Sequence, residues 1–240
     1  DDLRYNVICY VDKLGTKRIM INDKKVSKLS ELIERFRFVF FRPDDTNMIK
    51  SDPQTRRRFL DMVVIKFYPY MAKVFQDYLK VLHNRNAFLK SYDKKDIIDV
   101  YDIELSKLSF LIVSKRKEII NALSSSSRDV FSYFTKDEGI LELRYHPSVD
   151  AKSQEEFYQA LKKDLKTDLE FGYTRKGPHR DDFEVLINGI CAKDFASEGQ
   201  IKIACISIVL SSVSLLNGPI LLLDDIFSEL DHSKRENILD

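Results

Sequence analysis

The run Pro219-Ile-Leu-Leu-Leu-Asp-Asp225 constrains the fold of this chain more than any other stretch. Residues 219–223 carry no polar side chain, and two adjacent aspartates follow them directly. An uninterrupted apolar run of this kind is typical of a strand buried on both faces of a parallel sheet. Ligands of such sheets bind in the crevice outside the carboxyl ends of the strands. The sequence therefore predicts that Asp224 and Asp225 face a ligand.

Two neighbouring carboxylates at the end of a buried strand are costly unless a cation lies beside them. A hydrophobic strand with an acidic end is the Walker B pattern of P-loop ATPases, in which Asp224 would hold Mg²⁺ directly or through water. Asp225 would then orient the water that attacks the γ-phosphate of ATP. The alternative is an ordinary buried strand followed by a helix, with Ser228 or Asp231 as the N-cap.

Two further segments favour the nucleotide-binding interpretation. Ser197-Glu-Gly-Gln200 precedes an apolar helix that is predicted over 201–216, and Ser228-Glu-Leu-Asp231 follows the acidic pair. The N–H groups and the dipole of a helix N-terminus can bind an anion. The alternative is that Ser197 only caps the helix and Gly199 only interrupts the loop.

In combination, these segments resemble the signature motif, Walker B motif and D-loop of ABC-type ATPase heads. Their order resembles the RecF family of bacterial recombinational-repair ATPases, relatives of the SMC heads, from about residue 15 to the end of the chain. Four other segments support the resemblance: Phe41-Arg-Pro-Asp-Asp45, Ser51-Asp-Pro-Gln-Thr-Arg-Arg-Arg-Phe-Leu-Asp61, Arg85-Asn-Ala-Phe-Leu89 and Gly177-Pro-His-Arg-Asp-Asp182.

The resemblance implies an α/β fold, with an ABC-type ATPase head lobe built on a mixed sheet and an inserted, mostly helical second lobe. It also implies roles for individual residues. Ser197, Gly199 and Gln200 would bind the nucleotide held by a second subunit, so that ATP joins two heads, and Ser228 and Asp231 would belong to the D-loop. The segment 177–182 is expected near the junction of the lobes, and its alternative is a self-satisfied ion cluster.

The pattern of predicted elements divides the chain into three regions. Residues 1–50 are β-rich and would form part of ATPase lobe I. Residues 51–165 would form helical lobe II, and residues 166–240 would return to lobe I with the signature motif, Walker B and the D-loop.

Periodicity and capping signals predict the elements of the second and third regions. A helix is predicted to start at Asp52-Pro53 and to continue to about Lys90 with an interruption near Pro69. A second long helix is predicted from about Ile103 to Leu123, with a low-complexity linker over Ser124–Ser127. Later elements are a strand over 140–145, a helix that begins with the capping box Ser153-x-x-Glu156, and a hairpin around Asn188-Gly189.

Basic residues concentrate in the first predicted helices. Residues 50–90 contain nine Lys or Arg and three Asp, although the whole chain has a net charge of only +1. Two groups are candidates for contact with the DNA backbone, namely Arg56, Arg57 and Arg58, and the row Lys66, Lys73 and Lys80, which share one helix face if Pro69 does not break the register. Contacts of this kind are largely independent of DNA sequence. The alternative is a solvated basic surface.

The remaining composition excludes several classes. The three cysteines, Cys9, Cys191 and Cys205, show no C-x-x-C spacing and predict neither a disulfide framework nor a zinc site. There is no signal peptide and no apolar run of membrane-spanning length, so the expected location is the cytoplasm.

The motif G-x-x-x-x-G-K-[ST], which cradles the phosphates in P-loop ATPases, does not occur in this chain. The RecF family carries that loop upstream, so we expect the chain to be inactive by itself and the complete protein to be a weak ATPase. The resemblance implies ATP and Mg²⁺ as ligands and an ATP-dependent homodimer that binds DNA at gaps and stalled forks. It also implies action with RecO and RecR to load RecA in repair, replication restart and the SOS response. Two alternatives are an SMC-like structural head and a DNA-binding module without ATPase activity.

Overall fold

The computed structural model describes residues 5–13, 16–26, 38–41, 48–91, 95–136, 138–215 and 220–223. Over these residues the chain forms six α-helices, one short 3-10 helix and eight strands. The strands make three small sheets, with the orders β1-β2-β3, β4-β8 and β5-β6-β7. The fold is therefore mixed α/β, which confirms the predicted class.

The first sheet is an antiparallel meander of β1 (Val7–Val11), β2 (Lys17–Ile21) and β3 (Lys24–Lys25). Asn22 and Asp23 connect β2 to β3 with φ angles of 46° and 63°. Asn and Asp tolerate this left-handed conformation better than most residues.

The second sheet joins two strands that are far apart in the sequence. β4 (Phe38–Phe41) and β8 (Ile220–Leu223) run parallel, with Phe41 opposite Leu223. This confirms the predicted strand before the aspartate pair and shows that β4 and β8 end at the same edge. The short helix that the sequence predicts around residues 31–35 lies outside the described residues.

Two consecutive helices, α1 (Pro53–Phe67) and α2 (Met71–Lys90), occupy the segment predicted to be helical and interrupted. The side chain of Asp52 caps α1 by accepting a hydrogen bond of 2.9 Å from the Thr55 N–H, and Pro53 occupies the first turn. The break falls at residues 68–70, because Pro69 lacks the N–H that a continuous helix needs. The predicted start and interruption are both confirmed.

Helix α3 (Lys95–Thr135) is longer than predicted, and the linker predicted at Ser124–Ser127 is wrong. These serines lie within the helix, where Ser127 is fully buried. The Ser124 hydroxyl accepts a hydrogen bond of 2.9 Å from the Leu143 N–H of the adjacent strand. The modest helix propensity of serine is outweighed here by packing against that strand.

The remaining elements follow the predicted order. Asn188 and Gly189 adopt φ angles of 53° and 77°, as the predicted type I′ hairpin requires. Ser153 caps its helix by accepting a bond of 3.1 Å from the Glu156 N–H. The bounds are β5 (Leu141–His146), α4 (Gln154–Phe171), the 3-10 helix (Pro178–Arg180), β6 (Asp182–Ile187), β7 (Ile190–Cys191), α5 (Ala192–Phe195) and α6 (Glu198–Ser214).

Helix α3 forms the centre of the core, because α1, α2, α4, α6 and β5 all pack against it. Its residues Leu105, Ile112, Ile120 and Leu123 are at most 1% exposed. No helix in the described part of the chain is long and apolar enough to cross a membrane.

The boundary predicted at residue 165 falls inside α4, and the pairing of β5 with β6 links residues on its two sides. The division into regions 1–50, 51–165 and 166–240 stays a prediction, with no break in the backbone structure at the second boundary.

Candidate nucleotide and nucleic-acid sites

The predicted signature segment forms a capped helix N-terminus. Ser197 is the N-cap of α6, and its hydroxyl accepts a hydrogen bond of 3.3 Å from the Gln200 N–H. The Gln200 side chain accepts in turn from the Ser197 N–H at 3.0 Å, which completes a capping box. Among the described residues, the N–H groups of Glu198 and Gly199 have no partner. Two donors of the first turn therefore point outward at the positive end of the helix dipole.

The same helix is fixed in the core while its N-terminus is exposed. Ten of its 17 residues are buried, whereas residues 197–200 are all exposed. A methyl group placed on Gly199 would have no neighbour within 4 Å, and the φ of Gly199 is not positive. Neither local strain nor crowding within the described chain therefore requires glycine at this position. The ammonium of Lys50 lies 3.9 Å from the carboxylate of Glu198 in the first turn.

The candidate residues of the predicted Walker B motif and D-loop lie outside the described residues. They are Asp224, Asp225, Ser228 and Asp231, and their roles stay predictions. The strand before them is described, and it ends beside β4 at the carboxyl edge of a parallel pair. Carboxylates that follow such a strand have the oxygen donors that Mg²⁺ prefers.

Arg56 is buried in an ion pair, which weighs against the predicted contact of this residue with the DNA backbone. Its side chain is 7% exposed and forms two hydrogen bonds, of 2.8 and 2.7 Å, with the carboxylate of Asp182. It also donates to the carbonyl oxygens of Ile49 and Ser51. The hydrogen bond with Asp182 raises the pKa of Arg56. Its guanidinium is thus used to join α1 to the start of β6.

The other two arginines of this group differ in exposure. Arg57 is half-buried and donates a hydrogen bond of 2.8 Å to the backbone carbonyl of Asp181. Arg58 is exposed. Of the three arginines, only Arg58 is exposed, so it is the one that remains a candidate for contact with a DNA phosphate.

The segment Gly177–Asp182 belongs to a polar network whose partners come from other segments, and it is not the self-satisfied ion cluster of the alternative interpretation. Asp181 accepts hydrogen bonds from the Ser148 N–H at 2.7 Å and from the Tyr145 hydroxyl. Burial raises the pKa of Tyr145, so the phenol stays protonated and able to donate. Arg116, which is 3% exposed, binds both this carboxylate at 3.4 Å and the carboxylate of Asp61 at 2.8 Å. The network connects α1, α3, β5 and β6.

His179 of the same segment binds helix α2. Its Nδ1 lies 2.6 Å from the Tyr78 hydroxyl, and its Nε2 lies 3.0 Å from the carbonyl oxygen of Thr174. Burial lowers the pKa of His179, and the neutral ring suits this pair of partners. Gly177 has a φ of 137°, and a Cβ there would lie 3.0 Å from the Tyr78 hydroxyl, so this approach requires glycine.

The lysine row is divided by the break between the two helices. Lys66 lies in the last turn of α1, whereas Lys73 and Lys80 lie seven residues apart on α2. Lys73 and Lys80 are exposed on one face of α2, and Lys73 forms a 2.6 Å pair with Asp77. The condition for a single three-lysine face is therefore not met, and the candidate DNA face comprises Lys73 and Lys80.

A second buried ionic network was not predicted from the sequence. Arg85 is fully buried and forms ion pairs with Asp102 at 2.6 Å and Asp168 at 2.7 Å. The same guanidinium lies 2.7 Å from the Thr174 hydroxyl. Arg85 lies on the same face of α2 as the buried residues Met71, Tyr78, Leu82 and Leu89. A charged residue among apolar positions was the available signal for a buried pair.

The mixed α/β fold agrees with the head fold that the sequence predicted. No family model matches the sequence. The chain is 39% identical to the DNA replication and repair protein RecF of Clostridium acetobutylicum, and the alignment covers 95% of this chain and 65% of that protein. For the RecF protein of Clostridium beijerinckii the identity is 38%, over 94% of this chain and 64% of the relative.

A solved structure of the recombination mediator protein RecF-ATPrS in the RecFOR pathway matches with a TM-score of 0.83 and 30% identity. The match covers 97% of this chain and 67% of that one. A second structure, RecF-ATP in the same pathway, matches with a TM-score of 0.82 and 31% identity, over 94% of this chain and 64% of that one. The chain belongs to the RecF family and spans about 65% of the length of the curated relatives it matches.

Proposed function

We propose that the complete protein is an ATP-dependent DNA-binding ATPase of replication and repair, in which ATP joins two copies. The exposed N-terminus of α6 binds the γ-phosphate of the nucleotide held by the other copy. Asp224 holds Mg²⁺, and Asp225 orients the attacking water in a slow hydrolysis. Mg²⁺ supplies charge neutralisation at the phosphates.

The observation that carries this proposal is the open space at Gly199. Two unpartnered N–H groups, a helix dipole and a missing side chain coincide at one exposed point, although the rest of the helix is buried. The absence of a Cβ allows a phosphate to approach the backbone closely. Membership of a family with structures named for ATP and an ATP analogue supports the same ligand.

The DNA-binding part of the proposal rests on α2. Lys73 and Lys80 are exposed on this helix and share one face that points away from the core. Such a row tracks phosphates without reading bases, so binding is independent of sequence. By analogy with the family, we propose that the protein works in the cytoplasm at gaps and stalled forks. There it acts with RecO and RecR to load RecA and supports replication restart and the SOS response.

The substitution Ser197→Arg in the complete protein tests the nucleotide-dependent dimer. The arginine side chain would fill the space that the phosphate needs, so we expect sedimentation velocity with ATP to show a monomer where the unsubstituted protein dimerises. Asp225→Asn should instead bind ATP, abolish turnover and accumulate the ATP-bound dimer.

Ser153→Arg is the matched control, because Ser153 is also an N-cap serine with a side-chain hydrogen bond. Each substitution removes one cap and costs about 1 kcal/mol of stability. The control should dimerise normally. If Ser197→Arg also dimerises normally with ATP, α6 has no role in binding the second copy's nucleotide.

A further inference from the structure

The segment that follows α4 exposes two aromatic rings, each with an arginine over its face. Phe171 and Tyr173 are 55% and 37% exposed, and their ring centroids are 5.9 Å apart in an edge-on arrangement. The Arg175 guanidinium lies 4.8 Å from the centroid of Phe171, and that of Arg180 lies 5.4 Å from the centroid of Tyr173. We call these four residues the aromatic–arginine platform.

The backbone of the platform is held rigidly. The Asn86 side chain accepts hydrogen bonds from the N–H and hydroxyl of Thr174, at 2.8 and 2.7 Å, and the buried Asp168 accepts one from the Arg175 N–H at 3.0 Å. Gly172 ends α4 with a φ of 71°, and its N–H donates to the Asp168 carbonyl at 2.8 Å. The platform's shape is thus fixed by buried groups, while its own rings stay in contact with solvent.

The charge of the segment is one-sided. Residues 171–180 contain Arg175, Lys176 and Arg180 and no carboxylate. Lys176 pairs with Asp164 at 2.8 Å, whereas in the described part of the chain no carboxylate lies within ion-pair distance of Arg175 or Arg180. A cation–aromatic pair at an exposed site contributes only about 0.5–1 kcal/mol. Because this contribution is small and neither arginine has a carboxylate partner among the described residues, both guanidiniums can bind an anion.

The platform lies along one flank of α2. The hydrogen bonds from Thr174 to Asn86 and from His179 to Tyr78 place the segment along the flank of that helix. Lys90 lies against Gly172, within 3.3 Å of where a Cβ would stand. Lys90 is therefore the lysine of α2 that adjoins the platform, whereas Lys73 and Lys80 lie on the face of the helix opposite Tyr78.

We propose that the aromatic–arginine platform binds the unpaired bases of single-stranded nucleic acid. Bases stack on aromatic side chains and guanidinium planes, and neighbouring cations neutralise the phosphates. The bases of a duplex are already stacked on one another and cannot reach the rings. This inference rests on the proposed DNA-binding function and gives the protein a means to distinguish a single strand from a duplex.

Tyr173→Trp tests the contact directly, because the chain contains no tryptophan and the new indole is its only one. We expect an oligothymidylate to quench the indole fluorescence to saturation, and a duplex of equal length to quench it far less. Tyr133→Trp is the matched control, since Tyr133 is 55% exposed at the far end of α3 and should not be quenched. No quenching, equal quenching in both variants, or equal quenching by inorganic polyphosphate would overturn the proposal.

Affinity measurements separate the platform from the lysine face. Phe171→Ala with Tyr173→Ala should weaken binding to a single strand about tenfold or more for each lost stack, and Tyr173→Phe should retain the affinity. The dependence on salt should not change, because stacking releases no counterions. If the double alanine variant binds a single strand with unchanged affinity, the platform does not bind unpaired bases. Loss of the lysine face would instead appear as a changed salt slope on single and double strands alike.

Discussion

Replacing Gly199 with alanine should stabilise the isolated fold, which is unusual for a residue that is proposed to bind a ligand. The added methyl group has no neighbour within 4 Å among the described residues, and the backbone there is helical with negative φ. Alanine in place of glycine in a helix contributes about 0.5–1 kcal/mol. For a chain of this size, we expect the melting temperature to rise by about 2 °C.

Gly189→Ala should change the melting temperature in the opposite direction, although a methyl group has as much room there as at residue 199. A methyl group there also has no neighbour within 4 Å, but the φ of Gly189 is 77°. A non-glycine residue in this region costs about 1–2 kcal/mol. The melting temperature should therefore fall by about 2–8 °C. The pair separates the backbone effect from any effect of crowding.

Gly199→Glu extends the same reasoning to function. A carboxylate in the first turn of α6 is favoured by the helix dipole, so the isolated fold should keep or gain stability. The same carboxylate would repel the γ-phosphate of the second copy. Calorimetry of the chain and sedimentation of the complete protein with ATP measure the two effects. A lowered melting temperature for Gly199→Ala, or normal dimerisation of Gly199→Glu, would refute the reasoning.

Three further predictions concern the basic residues and the buried histidine. Replacing both Lys73 and Lys80 with Gln should flatten the slope of log K against log salt on duplex DNA by about 1.8, at roughly 0.9 per contact. Arg56→Gln should lower the free energy of unfolding by about 3 kcal/mol, because Asp182 and two carbonyls lose a buried partner, and should leave the salt slope unchanged. His179→Gln should reduce the loss of stability between pH 7 and pH 5, measured by chemical denaturation. Burial lowers the pKa of folded His179, so the unfolded chain binds more protons below about pH 6.5 and wild-type stability falls there.

Each of these predictions has a control in the chain. Arg128 and Lys136 are exposed at the carboxyl end of α3, away from α2, and their replacement with Gln removes equal charge. If that control flattens the salt slope as much as the change in α2, the α2 face is not specific. Arg58→Gln, at the exposed neighbour of Arg56, should leave stability nearly unchanged, and equal destabilisation would contradict the buried role of Arg56. An unaltered pH profile for His179→Gln would show that this ring does not control acid sensitivity.

Local sequence signals predicted most of the elements well. Pro69 set the break between α1 and α2, Asn188-Gly189 set the hairpin, and Ser197 set the start of α6. These signals act over a few residues, so their meaning does not depend on the rest of the fold. The linker predicted over residues 124–127 was wrong because the state of these serines is not decided locally. Their helical conformation depends on packing against a strand that begins 14 residues later.

The candidate sites were predictable only in part. The exposed signature helix followed from its own residues, because a capping box and an apolar helix behind it are local features. The burial of Arg56 could not be predicted because its partner lies 126 residues further along the chain. Arg56 and Arg58 are both arginines in the same helix turn, and only the approach of β6 makes one of them structural and the other exposed.

The sequence by itself therefore determined the order of helices and strands and the start of α6, because backbone propensity and capping operate between near neighbours. It also determined the family, because the motifs and their order are read directly from the residues. Only the tertiary structure decided which charges are buried, because the cost of burying a guanidinium is offset by carboxylates that folding brings from distant segments. It likewise decided that Phe171 and Tyr173 are exposed beside Arg175 and Arg180. Their exposure depends on how residues 172–180 lie along α2, and no local pattern encodes that path.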